Sequence, residues 1–270
     1  MRFAKGHGTE NDFVILPDPD GALDLSADQV ARLCDRRAGI GGDGVLRVVR
    51  TAALEEPVTG TAADGEWFMD YRNADGSIAE MCGNGVRVFA RYLLHAGLVD
   101  KGPITVGTRA GARRVEVEPD GDITVDMGLP EVLGTGAARL AGGEEVRGVR
   151  ISVGNPHLAC VLDRPVAGVD LSAAPELDPE EFPEGGNVEV VAETGPGTLD
   201  MRVYERGSGE TRSCGTGIVA AAVAATGAAG TPATWRVRVP GGECVVFLDA
   251  RGARLRGPAV IVAEGEVHPG

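Results

Sequence analysis

Residues 212–227 read R-S-C-G-T-G-I-V-A-A-A-V-A-A-T-G, and the rest of the chain is organised around them. Residues 218–225 carry no polar side chain on any face. A segment long enough to be a helix yet apolar all round belongs inside a core. It begins at a glycine-flanked thiol, Cys214. A cysteine in the first turn of a buried helix faces unpaired backbone N–H groups and the positive end of the helix dipole, and both favour thiolate.

The pattern occurs a second time. Residues 80–95, E-M-C-G-N-G-V-R-V-F-A-R-Y-L-L-H, set Cys82, Gly83, Asn84 and Gly85 where Cys214, Gly215, Thr216 and Gly217 stand below. Val86, Phe89, Ala90, Leu93 and Leu94 follow the i, i+3, i+4 rhythm of a helix with one buried stripe. Asn73 and Glu205 each lie nine positions before their cysteine, and strand-type alternation follows each helix, over residues 105–126 and 235–262. A duplicated half is expected: residues 1–130 carrying Cys82 and residues 131–270 carrying Cys214, with the final strand able to pack back on the first half. The glycine- and charge-rich residues 131–150 mark the junction.

Between these landmarks, residues 2–16 read as strand, turn and strand, with Asn11 in the turn. Residues 25–37 predict a helix with Ser26 as N-cap. Residues 39–44, G-I-G-G-D-G, match the letters of a dinucleotide fingerprint, but helix precedes and strand follows, the reverse of what that motif needs, so they are a helix stop and tight turn. Residues 51–65 form an exposed loop before a strand over 66–71. In the second half Asn155 ends one strand and His157 begins the next, Asn187 sits at a strand entrance, and residues 200–205 run as a strand into R-G-S-G-E-T-R-S-C. Polar residues thus gather at the ends of strands flanking two buried helices.

Composition narrows the chemistry. A formal net charge of −14 argues against nucleic acid or an anionic membrane as partner. No apolar run approaches the ~18 residues that span a bilayer, and M-R-F-A-K-G-H-G lacks the apolar block of a signal peptide, so a cytoplasmic location is expected. Five cysteines, with no export signal, argue against a disulfide framework. Four scattered histidines without ligand spacing give no sign of a metal. Lys5 and Lys101, the only lysines, lack a phosphate-cup context, which disfavours pyridoxal phosphate; no cofactor is expected.

If the two cysteine helices converge at their N-termini, a ligand carboxylate meets two sets of backbone donors, and its α-carbon has a thiol on each side. Inverting a stereocentre through a planar carbanion needs this: one base removes the proton while an acid on the other face returns it. Backbone donors on the enolate-like carboxylate carry most of the barrier.

K-G-H-G-T-E-N-D-F, N-A-D-G-S-I-A-E-M-C-G-N-G, G-N-P-H, G-G-N-V-E-V and Y-E-R-G-S-G-E-T-R-S-C-G-T-G together closely resemble the diaminopimelate epimerase family. The resemblance implies an α+β fold of two pseudo-symmetric halves, each a curved, mostly antiparallel, barrel-like sheet wrapped around a central helix, with the active site in the cleft between them. It implies cofactor-free interconversion of LL- and meso-2,6-diaminopimelate, for lysine and peptidoglycan precursors, by a homodimer. Cys82 and Cys214 match the acid–base pair. Gly83, Asn84, Gly215 and Thr216 match the holders of the reacting carboxylate, and Asn11, Asn73, Asn155, Asn187, Glu205 and Arg206 match the groups that fix the amino and carboxylate ends. His157 and Glu205 match the groups that tune cysteine protonation. Gly44 stands where many members carry glutamine. The alternatives are a proline or hydroxyproline racemase-type isomerase, against which Asn84 argues, and a non-catalytic switch in which the two thiols form a reversible disulfide.

Overall fold

The structure is a computed structural model that describes residues 1–54, 56, 58, 60–227 and 230–268. The chain divides into two compact units, Met1–Val125 with Gly257–Gly270, and Asp126–Arg256. Three α-helices occur among the described residues: α1 (Ala27–Cys34), α2 (Gly83–His95) and α3 (Gly215–Thr226). None is long and apolar enough to cross a membrane.

In the first unit Arg2–Gly8 lies antiparallel between Val260–Glu266 and Asn11–Pro17. Asn11–Pro17 continues parallel to Gly44–Arg50, which is antiparallel to Trp67–Asn73. That strand runs parallel to Ile104–Thr108, and Gly111–Val117 and Ile123–Gly128 follow antiparallel. A parallel neighbour cannot be reached by a tight turn. Both parallel joints are accordingly bridged by segments that contain a helix, α1 at the first and α2 at the second.

The second unit repeats the order. Glu145–Ser152 is antiparallel to Pro156–Leu162, Pro156–Leu162 parallel to Asn187–Gly195, and Asn187–Gly195 antiparallel to Thr198–Glu205. Then α3 leads to Ala233–Val239, parallel to Thr198–Glu205, and Gly242–Asp249 and Gly252–Gly257 follow antiparallel. α3 is buried from Gly215 through Val223 and ends at Gly227, whose φ of 81° makes a left-handed cap. α2 buries Val86, Phe89, Ala90 and Leu93 as its stripe requires, with Leu94 half-buried. Ser26 caps α1 by a reciprocal capping box with Gln29.

One local expectation is corrected, and two segments carry more regular structure than expected. Residues 131–150, expected as the junction of the halves, carry regular structure: Glu131–Arg139 and Glu145–Ser152 form an antiparallel hairpin. Its outer strand is exposed from Glu131 through Thr135, so no buried face imposes the period-2 alternation by which a strand is recognised. Asn11 is not in the turn but opens a strand; the turn is Thr9–Glu10, both in the left-handed region with φ of 49° and 60°, between the paired Gly8 and Asn11. Residues 51–65, expected as an exposed loop, contain two 3-10 turns, Thr51–Ala53 and Gly60–Asp64, with residues 55, 57 and 59 outside those described. Residues 39–44 do stop a helix: Ile40 and Gly41 donate to Leu33 O and Gly42 to Cys34 O.

Candidate active site

In the first unit Cys82 is the N-cap of α2, its Sγ accepting from Gly85 N at 3.4 Å. The next residues, Gly83 and Asn84, put their N–H groups in the first turn, where the helix itself supplies no acceptor. Asn11 lies beside them. Its Nδ2 donates to Asp43 Oδ2 at 2.7 Å. A carboxylate only accepts, so the amide oxygen is turned toward the helix start, where it accepts hydrogen bonds from the Cys82 thiol at 3.7 Å and from Asn84 Nδ2 at 3.3 Å. Asp43 is itself held by Arg36 at 2.7 Å. Asn73 ends its strand and donates to Ser77 Oγ at 3.0 Å, closing the turn that leads toward Cys82.

In the second unit Cys214 caps α3, accepting from Gly217 N at 3.4 Å and lying 3.4 Å from Thr216 Oγ1. Around it stand Glu205, whose Oε1 accepts from Thr211 Oγ1, and the fully buried pair His157 and Glu189, joined through Nδ1 and Oε1 at 2.7 Å. His157 Nε2 meets Asn155 Oδ1 at 2.9 Å. Asn187 accepts from Arg206 N at 2.9 Å, and the half-exposed Arg206 donates to Glu184 O at 3.1 Å.

The expectation that a helix start lowers the thiol's affinity for its proton is overturned at Cys214. Burial pushes that thiol well above the ordinary value, and the Glu205 and Glu189 carboxylates push the same way, against the opposing pull of Thr216 and Gly217 N–H. A dipole end contributes at most ~2 kcal/mol, less than removal of a thiolate from water beside two carboxylates. Burial raises Glu205 too, offset in part by hydrogen bonds from Thr211 and Cys214 and by the nearby His157. Cys214 is thus a thiol whose proton has a carboxylate acceptor in contact.

The fold gathers Asn11, Cys82, Gly83 and Asn84 in one unit, and Asn155, His157, Glu205, Cys214, Gly215 and Thr216 in the other. Asn73 is engaged within its own turn, Asn187 with the Arg206 backbone, and the Arg206 side chain with Glu184 O. Sequence reasoning missed Glu189, Thr211 and Asp43. A signal existed for Glu189, a lone carboxylate in the apolar run N-V-E-V-V, yet alternation with valines puts it on the opposite face, which α3 happens to cover.

Comparison with known proteins bears on this site. The family model described as diaminopimelate epimerase matches residues 3–133 and 149–268. Among relatives, a diaminopimelate epimerase of Thermobifida fusca is 72% identical, covering 99% of this chain and 98% of its own, and one of Streptomyces coelicolor is 56% identical, covering 98% and 95%. Among solved structures, a Bacillus anthracis phenazine biosynthesis protein of the PhzF family superposes with TM-score 0.72 at 17% identity over 99% of both chains. A probable proline racemase from Agrobacterium radiobacter does so with TM-score 0.70 at 15% identity, over 99% of this chain and 92% of the other. Those two likenesses carry the fold alone.

Proposed function

The chain belongs to the diaminopimelate epimerase family, and from that premise we propose that Cys82 and Cys214 are the two acid–base groups that act on opposite faces of one substrate α-carbon. The enzyme is an isomerase that interconverts LL- and meso-2,6-diaminopimelate, a step of lysine biosynthesis. The observation that carries the assignment of roles is that both cysteines cap a C-G-x-G helix start, and one of them has a carboxylate as hydrogen-bond partner.

In this reading the substrate's reacting carboxylate lies on the first-turn N–H groups of Gly83, Asn84, Gly215 and Thr216, which lower the energy of the enolate-like intermediate. One thiolate takes the α-proton while the thiol opposite delivers another. Glu205 accepts the Cys214 proton when that cysteine must become the base, and the charge of His157 tunes Glu205. Asn11, Asn73, Asn155, Asn187, Glu205 and Arg206 hold the amino and carboxylate groups, with Arg206 suited to a bidentate grip. No cofactor enters this scheme, and Lys5 is committed to Asp12 at 2.6 Å rather than to a Schiff base. Homodimeric assembly and a cytoplasmic location belong to the same proposal, and sedimentation of the purified chain tests the first.

The deciding experiment is wash-in of deuterium at the α-position of LL-diaminopimelate by metal-free, pyridoxal-free protein. Cys82→Ser and Cys214→Ser are each expected to slow epimerisation by about 10²–10⁴-fold. Full exchange by either variant rejects the two-thiol assignment. Turnover of L-proline alone rejects the substrate.

A further inference from the structure

The two units repeat one order of strands, so their registers can be laid over each other. In the first unit Phe13 pairs with Gly44 and Ile15 with Leu46; in the second His157 pairs with Asn187 and Ala159 with Glu189. Phe13 therefore corresponds to His157, and Leu46 to Glu189. The glycines of the helix starts agree: a Cβ on Gly85 would meet Leu46 Cδ2 at 3.4 Å, and one on Gly217 would meet Glu189 Oε1 at 2.6 Å. Beneath one cysteine helix the framework carries two apolar side chains. Beneath the other, at the same places, it carries a carboxylate and an imidazole, both fully buried.

A buried ion pair is weak as a stabiliser, and apolar replacement of such pairs is often neutral or favourable. The first unit builds the same local framework with phenylalanine and leucine, so the fold does not need the pair. Glu189 also leaves Oε2 buried without a hydrogen-bond partner, a cost that packing alone does not explain. What the pair does is aim Asn155. His157 Nδ1 faces Glu189 Oε1 at 2.7 Å and Nε2 faces Asn155 Oδ1 at 2.9 Å. A carboxylate oxygen can only accept, so Nδ1 donates to Glu189 and the other ring nitrogen, Nε2, is presented to the half-buried Asn155 amide.

We propose that Glu189 is a positioning residue for the epimerisation: it fixes the His157 ring through Nδ1, and through Nε2 that ring holds the Asn155 amide in the orientation that meets the substrate. The proposal rests on the family reading above for the identity of that substrate. The other ionisable groups near the pair are Glu205 on the adjacent strand, Cys214 at the start of α3 and Cys160 on the strand of His157 itself.

The test begins on the unaltered chain. Proton–nitrogen NMR of the His157 ring at about pH 7.5 is expected to show a proton on Nδ1, the nitrogen that faces the carboxylate; a ring with a bare Nδ1 overturns the proposal and needs no variant. Glu189→Gln is then expected to loosen the ring, read as a shift of the His157 Nε2 resonance, and to raise KM for LL-diaminopimelate about tenfold, with the smaller change in kcat. A KM within twofold of the original overturns it. The double variant His157→Phe with Glu189→Leu copies the first unit; it is expected to melt no lower than the parent while KM rises as in Glu189→Gln, and its unfolding would assign the pair to structure and end the argument. Activity of the unaltered chain on LL-diaminopimelate is scored separately, so a failure of the substrate reading leaves the ring-proton result standing.

Discussion

Glu205 shows how a site residue is kept at a cost to the fold. Its carboxyl is held above the ordinary range chiefly by burial. A raised folded value means that the native state retains its proton to higher pH than the unfolded chain does. The resulting stability is present below the ordinary carboxyl value and lost as pH rises through the raised one, so ionising this side chain works against folding. Glu205→Gln keeps an oxygen for Thr211 and sheds that penalty. It is expected to melt higher than the parent at pH 8 while epimerisation falls about 10²–10⁴-fold; calorimetry beside the exchange assay checks both, and a lower melting temperature would contradict the burial argument. Neither effect is legible in Y-E-R-G-S-G-E-T-R-S-C, because a carboxylate's proton affinity depends on what covers it and not on its chain neighbours.

At the scale of elements, the two helix starts look interchangeable in sequence and differ in what lies beneath them. A Cβ on Gly217 would press on Glu189 Oε1 at 2.6 Å, whereas one on Gly85 meets nothing nearer than Cys82 Cβ at 3.3 Å and Leu46 Cδ2 at 3.4 Å, a mild crowding. Gly217→Ala is expected to lose about 1–3 kcal/mol of stability and to disturb the His157 pair. Gly85→Ala is expected to stay within about 1 kcal/mol of the parent, since alanine's helix propensity offsets mild crowding. Urea unfolding of the two variants side by side measures the contrast, and equal losses would mean that the buried carboxylate yields more readily than its packing implies. The capped starts themselves were readable, since C-G-x-G followed by an apolar run is a local signal. The hairpin over residues 131–152 was not, because its outer strand has no covered face to print a pattern.

At the scale of the molecule, buried thiols set the response to alkali. Burial pushes Cys160 up to about 12 and Cys34 to about 11, and Cys214 is raised as well. These groups stay protonated in the native chain after the unfolded chain has begun to lose its thiol protons. Their stabilisation is complete below the unfolded thiol value and declines as pH rises from there toward the raised values. Unfolding free energy is expected to fall by roughly 1.4 kcal/mol per pH unit for each fully shifted thiol above about pH 9. Cys160→Ala is expected to be less stable at pH 7 yet to show a shallower decline between about pH 9 and 10.5. Parallel slopes for parent and variant would rule the buried thiol out as the cause.

The amino-acid sequence by itself determined the duplicated α+β order, the two cysteine-capped helices, the helix stop at residues 39–44 and the family, because capping, periodicity and motif spacing are properties of residues near one another along the chain. Only the tertiary structure decided that Asp43 turns the amide of Asn11, that Cys214 keeps its proton more firmly than a helix start suggests, and that Glu189 is shut away beneath α3 where the other half has Leu46. Each of these depends on burial and charge summed over segments that folding brings together. No local pattern in the chain encodes that sum.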